Sequence, residues 1–194
     1  MRRVESHQPG SGVIAPTDQS ESHYDRMTIA LHWLTAGLVI VLFLLAESWG
    51  FFPREIRKAG QALHISLGIL LGVVLATRLV WRGTGSRRLP PASVGLLHWA
   101  AKSAHLALYA LLVAQVALGF LFRWAQAEPF LFFGMFSIPS PIVFESGMDR
   151  TFGELHNIVA WTIIVLAGLH AAAALVHHHV LRDGVLRRML PGRA

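Results

Sequence analysis

Four long apolar runs, each closed off by proline or glycine, constrain this chain more than any other feature. They cover about residues 28–46, 63–81, 96–122 and 154–181. A helix needs about 20 mostly apolar residues to cross a hydrocarbon core roughly 30 Å thick, and in lipid it must satisfy its own backbone hydrogen bonds. Pro53 and Gly60 follow the first run, Gly83, Gly85, Pro90 and Pro91 the second, and Pro129, Pro139, Pro141 and Gly147 the third, so each run ends where a helix is broken. With 54% hydrophobic and 14% charged residues, the composition is that of a membrane protein. The expected fold is an all-α membrane protein, a four-transmembrane-helix bundle over residues 26–190. Residues 1–25 are polar, without periodicity, and read as a flexible extension. A basic start and an apolar run ending in "LLAES" also fit the outline of a cleaved signal peptide. The polar leader is long for that role, and cleavage there would discard His32.

Basic residues set the orientation. Arg2, Arg3, Arg26, Arg82, Arg87, Arg88, Arg182, Arg187, Arg188 and Arg193 fall on one side of the four runs, and Arg54, Arg57, Lys58, Arg123 and Arg150 on the other. By the positive-inside rule both termini are expected in the cytoplasm. The net charge of +6 is then a topology signal, and no aromatic-interleaved basic face points to nucleic acid.

The chain has no cysteine and eleven histidines. Thiolate-ligated clusters, disulfides and covalently attached haem are thereby excluded, and metal chemistry is left to imidazole. His32 lies one to two turns inside the cytoplasmic end of the first run, and His64 at the periplasmic end of the second. The fourth run carries His156 near its periplasmic start and His170 fourteen residues on, roughly 21 Å further along the axis and about 40° short of four full turns. Depth therefore sorts the four into His32 with His170 and His64 with His156. An ionisable side chain within a bilayer is costly and normally faces the bundle interior for a purpose. Two facing imidazoles are what clamps a haem between helices. Gly37, Gly68, Gly72 and Gly168 stand near these histidines and give a flat macrocycle room. A single transmembrane histidine is more often a helix-to-helix hydrogen-bonding residue, but four at matched depths favour ligation. Zinc or copper would need ligands gathered within a few ångströms.

The segments "ALHW" (30–33), "GFFPR" (50–54), "LHISLG" (63–68), "HNIVA" (156–160) and "GLHAAAALVHHH" (168–179), in this order, resemble the bacterial cytochrome b561 family of inner-membrane proteins over about residues 24–191. The resemblance implies two b-type haems, one held by His32 and His170 and the other by His64 and His156. It also implies electron transfer from periplasmic superoxide through the haems to ubiquinone, as in superoxide:ubiquinone oxidoreductases. The alternative within redox chemistry is a cytochrome b subunit carrying electrons between a partner dehydrogenase and the quinone pool. Outside it, the alternative is a helical transporter or scaffold.

His177 follows His170 by seven and shares its face to within roughly 20°, which makes it the candidate hydrogen-bond and proton donor to quinone. His178 and His179 point elsewhere and read as headgroup residues. His98 and His105 share a face of the third run and read as packing or hydrogen-bonding residues, with lining of the quinone pocket as the alternative for His105. Arg26, Arg78 and Lys102 are expected to snorkel to headgroups, with pairing to haem propionates as the alternative, and Trp33, Trp49, Trp81, Trp99 and Trp124 to anchor the interfaces. Arg54, Arg57 and Lys58, with Arg123 and Arg150, would give the periplasmic mouth a positive field that concentrates superoxide. The aromatic connection 123–152 is expected to form a lid there.

Overall fold

A computed structural model describes residues 23–87, 89 and 95–190. Most of the polar extension, together with Arg2, Arg3, Arg88 and Arg193, lies outside these residues. Four helices are long and apolar enough to cross a membrane: α1 (Arg26–Glu47), α2 (Arg54–Thr84), α3 (Leu96–Ala125) and α4 (Met148–Val176). They form a four-helix membrane bundle. A two-stranded antiparallel hairpin, β1 (Phe130–Phe132) with β2 (Phe136–Ile138), joins α3 to α4.

Helix starts show why hydropathy alone misjudges the bounds. Asp25 caps α1, its Oδ1 accepting from the Thr28 amide at 2.8 Å and its Oδ2 from the Thr28 hydroxyl at 2.7 Å. Pro53, with φ −55°, precedes the first residue of α2, whose opening stretch "REIRKAGQA" is polar yet helical. α2 therefore starts at Arg54, not near residue 63. Its 31 residues amount to roughly 46 Å, more than the hydrocarbon thickness, so its charged first turns project out of the membrane. α4 likewise starts at Met148, ahead of the expected 154, and ends in one π-type turn, His177–Leu181.

α1 buries Leu31, Thr35, Leu38 and Leu42, a stripe at helical spacing that packs on Leu71 and Val74 of α2. Leu75, Leu112 and Ile163 join α2, α3 and α4 in a second cluster. Small residues let backbones close in. A Cβ at Gly72 would lie 3.2 Å from the Val116 side chain, and one at Gly153 would lie 3.1 Å from the Phe122 ring, so these glycines let side chains of α3 pack directly on the backbones of α2 and α4. α1 and α4 touch through Phe43 and Trp161, whose rings meet edge to face at 4.9 Å. Outward apolar residues such as Leu44, Val80, Leu106 and Leu169 are well over half exposed. That coat suits lipid and no aqueous surface.

The hairpin tucks against α2. Ser66, 2% exposed, accepts from the Phe133 amide at 3.0 Å and reaches the Leu131 carbonyl at 3.4 Å. Phe133 and Gly134 at the tip have φ of +48° and +73°, the left-handed conformation a tight reversal requires. The expected cover over this end is thus an ordered hairpin, seated one short step along α2 from His64.

Candidate functional site

At the end of the bundle marked by Arg54, α2 and α4 bring His64 and His156 together. Their ring centroids are 6.4 Å apart, and the rings are inclined by 70°. A metal–imidazole bond is about 2 Å, so two such bonds on opposite sides of one ion leave ring centres about 6 Å apart. Both Nδ1 atoms are buried without a hydrogen-bond partner, which is expensive for an imidazole with no further role. Trp49 packs edge-on against His64 at 5.5 Å, so this indole lines the site and does not simply anchor the interface. Gln115 of α3 sits 3.1 Å from Nε2 of His156, while its own Oε1 is buried and unpaired. A Cβ at Gly119 would lie 3.3 Å from Cε1 of His156, so glycine there admits the ring. The pair, the orphaned nitrogens and the close glycine fit a planar, doubly ligated haem.

At the opposite end three imidazoles share one depth. His170 of α4 meets His105 of α3 edge to face at 5.1 Å, and His32 of α1 lies within electrostatic reach of both. His105, expected as a packing residue, is therefore part of this cluster. Arg78 does not snorkel outward. Its guanidinium donates to Nδ1 of His32 at 3.0 Å and stands over the Tyr109 ring at 5.2 Å. Arginine only donates, so the neutral His32 ring then carries its proton on Nε2. Ligation through Nε2 would move the ring proton to Nδ1 and end this hydrogen bond, leaving the guanidinium on the Tyr109 ring that it already covers. A Cβ at Gly37 or Gly168 would meet nothing within 4 Å, and both glycines are exposed, so they open to the outside of the bundle and not onto His32 and His170, contrary to expectation. Among the described residues no three His, Asp or Glu side chains converge on a point.

The residues around these two centres divide differently from expectation. His177 binds Asp183 through Nδ1, and this bond holds the Asp183 carboxyl below its ordinary range. Arg123 pairs with Glu128 at 2.6 Å, Arg150 with Glu154 at 2.9 Å, and Lys58 stands 3.9 Å from Glu55. Arg54 and Arg57 form no ion pair among the described residues. Trp81 is an internal hydrogen-bond donor, its indole reaching Asp25 at 3.0 Å, and Trp33 donates to the Met189 carbonyl at 2.8 Å. Gln115, Ser66 and Asp25 escape a reading based on histidine spacing. Their sequence signal is faint: a polar residue inside or at the edge of an apolar run.

Known proteins resemble this chain along most of its length. The family model for prokaryotic cytochrome b561 matches residues 23–192. Cytochrome b561 homolog 2 of Escherichia coli (strain K12) is 36% identical over 172 residues, covering 86% of this chain and 90% of that protein. The probable superoxide oxidase CybB of Yersinia pestis is 31% identical over 173 residues, covering 87% of this chain and 96% of that protein. Cytochrome b562 of Cereibacter sphaeroides is 26% identical over 182 residues, covering 89% of this chain and 98% of that protein. Four membrane helices, imidazole pairs facing one another inside them and this match along nearly the whole described chain lead to one assignment: the chain belongs to the prokaryotic cytochrome b561 family of haem b membrane electron-transfer proteins.

Proposed function

We propose that this protein is a superoxide:ubiquinone oxidoreductase of the bacterial inner membrane. Two superoxide anions each give up one electron on the periplasmic side and leave as dioxygen. One ubiquinone takes up two electrons and two protons on the cytoplasmic side. The observation that carries the reading is the division of imidazoles between the two ends of α4, His156 facing His64 at one and His170 beside His105 and His32 at the other. His64 with His156, and His32 with His170, are the proposed ligand pairs for two b haems. Haem bound by two imidazoles supplies one-electron redox chemistry and keeps no open position for dioxygen.

The other roles belong to this chain's polar residues. Arg54 and Arg57, unpaired on the projecting first turns of α2, together with Lys58, raise the local concentration of a small anion. His177 gives its Nδ1–H to the Asp183 carboxylate, so the ring donates from Nε2 to a quinone carbonyl, and delivers a proton there, in its imidazolium form. The excess of Arg and Lys at the Arg82 end supports cytoplasmic termini. The probable superoxide oxidase among the relatives supports superoxide over a dehydrogenase as donor.

The deciding experiment supplies enzymatically generated superoxide and a soluble ubiquinone analogue to the purified protein. Ubiquinol should form without any partner protein and stop when superoxide dismutase is added. Haem that dithionite reduces but superoxide does not would reject the reading and leave the partner-dehydrogenase role. Reporter fusions at residue 194 should read cytoplasm and fusions near 135 periplasm.

A further inference from the structure

Beyond α4 the chain makes a hollow that neither haem ligation nor quinone chemistry uses. His178 and His179 belong to the π-type turn, a rare geometry that recurs at functional sites. Arg182 follows with φ +52° and Gly184 with φ +73°, and these two left-handed residues turn the chain back on itself. Arg187 comes from the 3-10 turn Leu186–Met189, which is pinned by two bonds to α1 and the residues just ahead of it: Trp33 donates to the Met189 carbonyl at 2.8 Å, and the Tyr24 amide donates to the Arg188 carbonyl at 3.1 Å. The result is a cavity of about 310 Å³ lined by His178, His179, Arg182, Gly184 and Arg187.

Every side chain in that lining is a hydrogen-bond donor, and none is acidic. Asp183, the carboxylate nearest in sequence, is engaged elsewhere, with Oδ2 on His177 and Oδ1 accepting from the Val185 amide at 3.1 Å. Arg182 and Arg187 form no ion pair among the described residues. Two guanidiniums and two imidazoles held by a pinned turn match a tetrahedral oxyanion, because arginine binds phosphate through paired, charge-assisted bonds. The hollow begins where the candidate span Met148–Leu181 ends, and basic pockets at the ends of membrane-spanning helices hold anionic headgroups.

We propose that this hollow is a binding site for a phosphate ester, the chemistry an anionic phospholipid headgroup presents. The full-length protein in neutral detergent is titrated with dioctanoyl phosphatidylglycerol, with dioctanoylglycerol, which lacks the phosphate, and with inorganic phosphate. Binding is read as a saturable rise in melting temperature. The phospholipid should saturate and dioctanoylglycerol should not. Arg182→Gln with Arg187→Gln should raise the half-saturating concentration roughly tenfold or more, His178→Ala with His179→Ala by less, and lysine at both arginine positions should restore much of the affinity. If inorganic phosphate saturates the same arginine-dependent site at lower concentration than the lipid, the site stands and its ligand is a soluble phosphate. Three results would overturn the proposal. These are equal phospholipid binding by wild type and the arginine-to-glutamine variant, equal binding of dioctanoylglycerol, or no saturable response to either phosphate compound. Haem spectra of all variants should remain wild type, since none of the four residues is a proposed ligand.

Discussion

His64 on α2 and His156 on α4 face each other with ring centroids 6.4 Å apart, and each keeps a buried Nδ1 with no hydrogen-bond partner. A third helix completes the arrangement, because Gln115 of α3 lies 3.1 Å from Nε2 of His156. The relationship joins three helices at one depth and turns two costly side chains toward a common point.

Gln115 should therefore act on the haem at this end and not on the other. Residues that orient a metal ligand typically change metal affinity by about 10–100-fold when replaced. Gln115→Leu is expected to retain both haems after gentle purification and to lose one of them faster to apomyoglobin. Equal loss rates for the two haems would remove Gln115 from the site.

At the other end His32, His105 and His170 have different expected roles. His32→Ala and His170→Ala should each abolish the absorbance of one haem, whereas His105→Ala should leave both haems in place and shift at most the spectrum of the one nearby. Loss of haem in His105→Ala with retention in His32→Ala would make His105, 5.1 Å from His170, the true partner.

Much of this is legible in the sequence because lipid makes the rules strict. Apolar runs of the right length mark the four helices, and the spacing of His156 and His170 places two imidazoles near opposite ends of one helix. Helix bounds are less legible. The opening turns of α2 carry Arg54, Glu55, Arg57 and Lys58 and stay helical outside the hydrocarbon, where hydropathy carries no signal. Arg78 shows a second limit. Position near a helix end suggests snorkelling, yet rotation about the axis decides the matter and aims it at His32 and Tyr109. His105 shows a third, since which helix packs beside α4 at a given height depends on the bundle's neighbour relations and not on any local pattern.

Asp25 ties the start of α1 to α2. Burial alone would raise its carboxyl, but donors from Thr28, Arg87 and Trp81 outweigh it and hold the group below its ordinary value of 3.8. Asp25→Ala should lower stability by about 1–2 kcal/mol, measured by unfolding in mixed micelles. A depressed carboxyl stabilises fully above its unfolded value and loses that contribution as pH falls through the lower folded value. The difference between wild type and variant should thus be constant at neutral pH and shrink only below about 3.8. A difference that vanished near pH 6 would assign the effect to another group.

Reduction by superoxide should depend on the charges of the first turns of α2. Replacing Arg54, Arg57 and Lys58 together by glutamate should slow haem reduction, and the wild-type rate should fall with added salt, because attraction is screened beyond about 10 Å at 0.1 M. Stopped-flow traces that match wild type at low salt would remove steering from the account.

His177 bonded to Asp183 predicts a split between haem content and electron exit. His177→Ala should keep both haem spectra while slowing ubiquinol formation, and Asp183→Asn should do so more mildly, since it weakens the hold on the ring without removing the donor. Haem loss in His177→Ala would transfer that residue to the ligand set.

Four histidines that make two bis-imidazole centres fix both the haem stoichiometry and the spin state. Pyridine haemochromogen analysis of the purified protein should give two b haems per chain, with ferric spectra wholly low-spin, and His64→Ala should give one. A single haem per chain in the wild type, or a high-spin ferric signal from intact protein, would contradict the pairing of His64 with His156 and of His32 with His170.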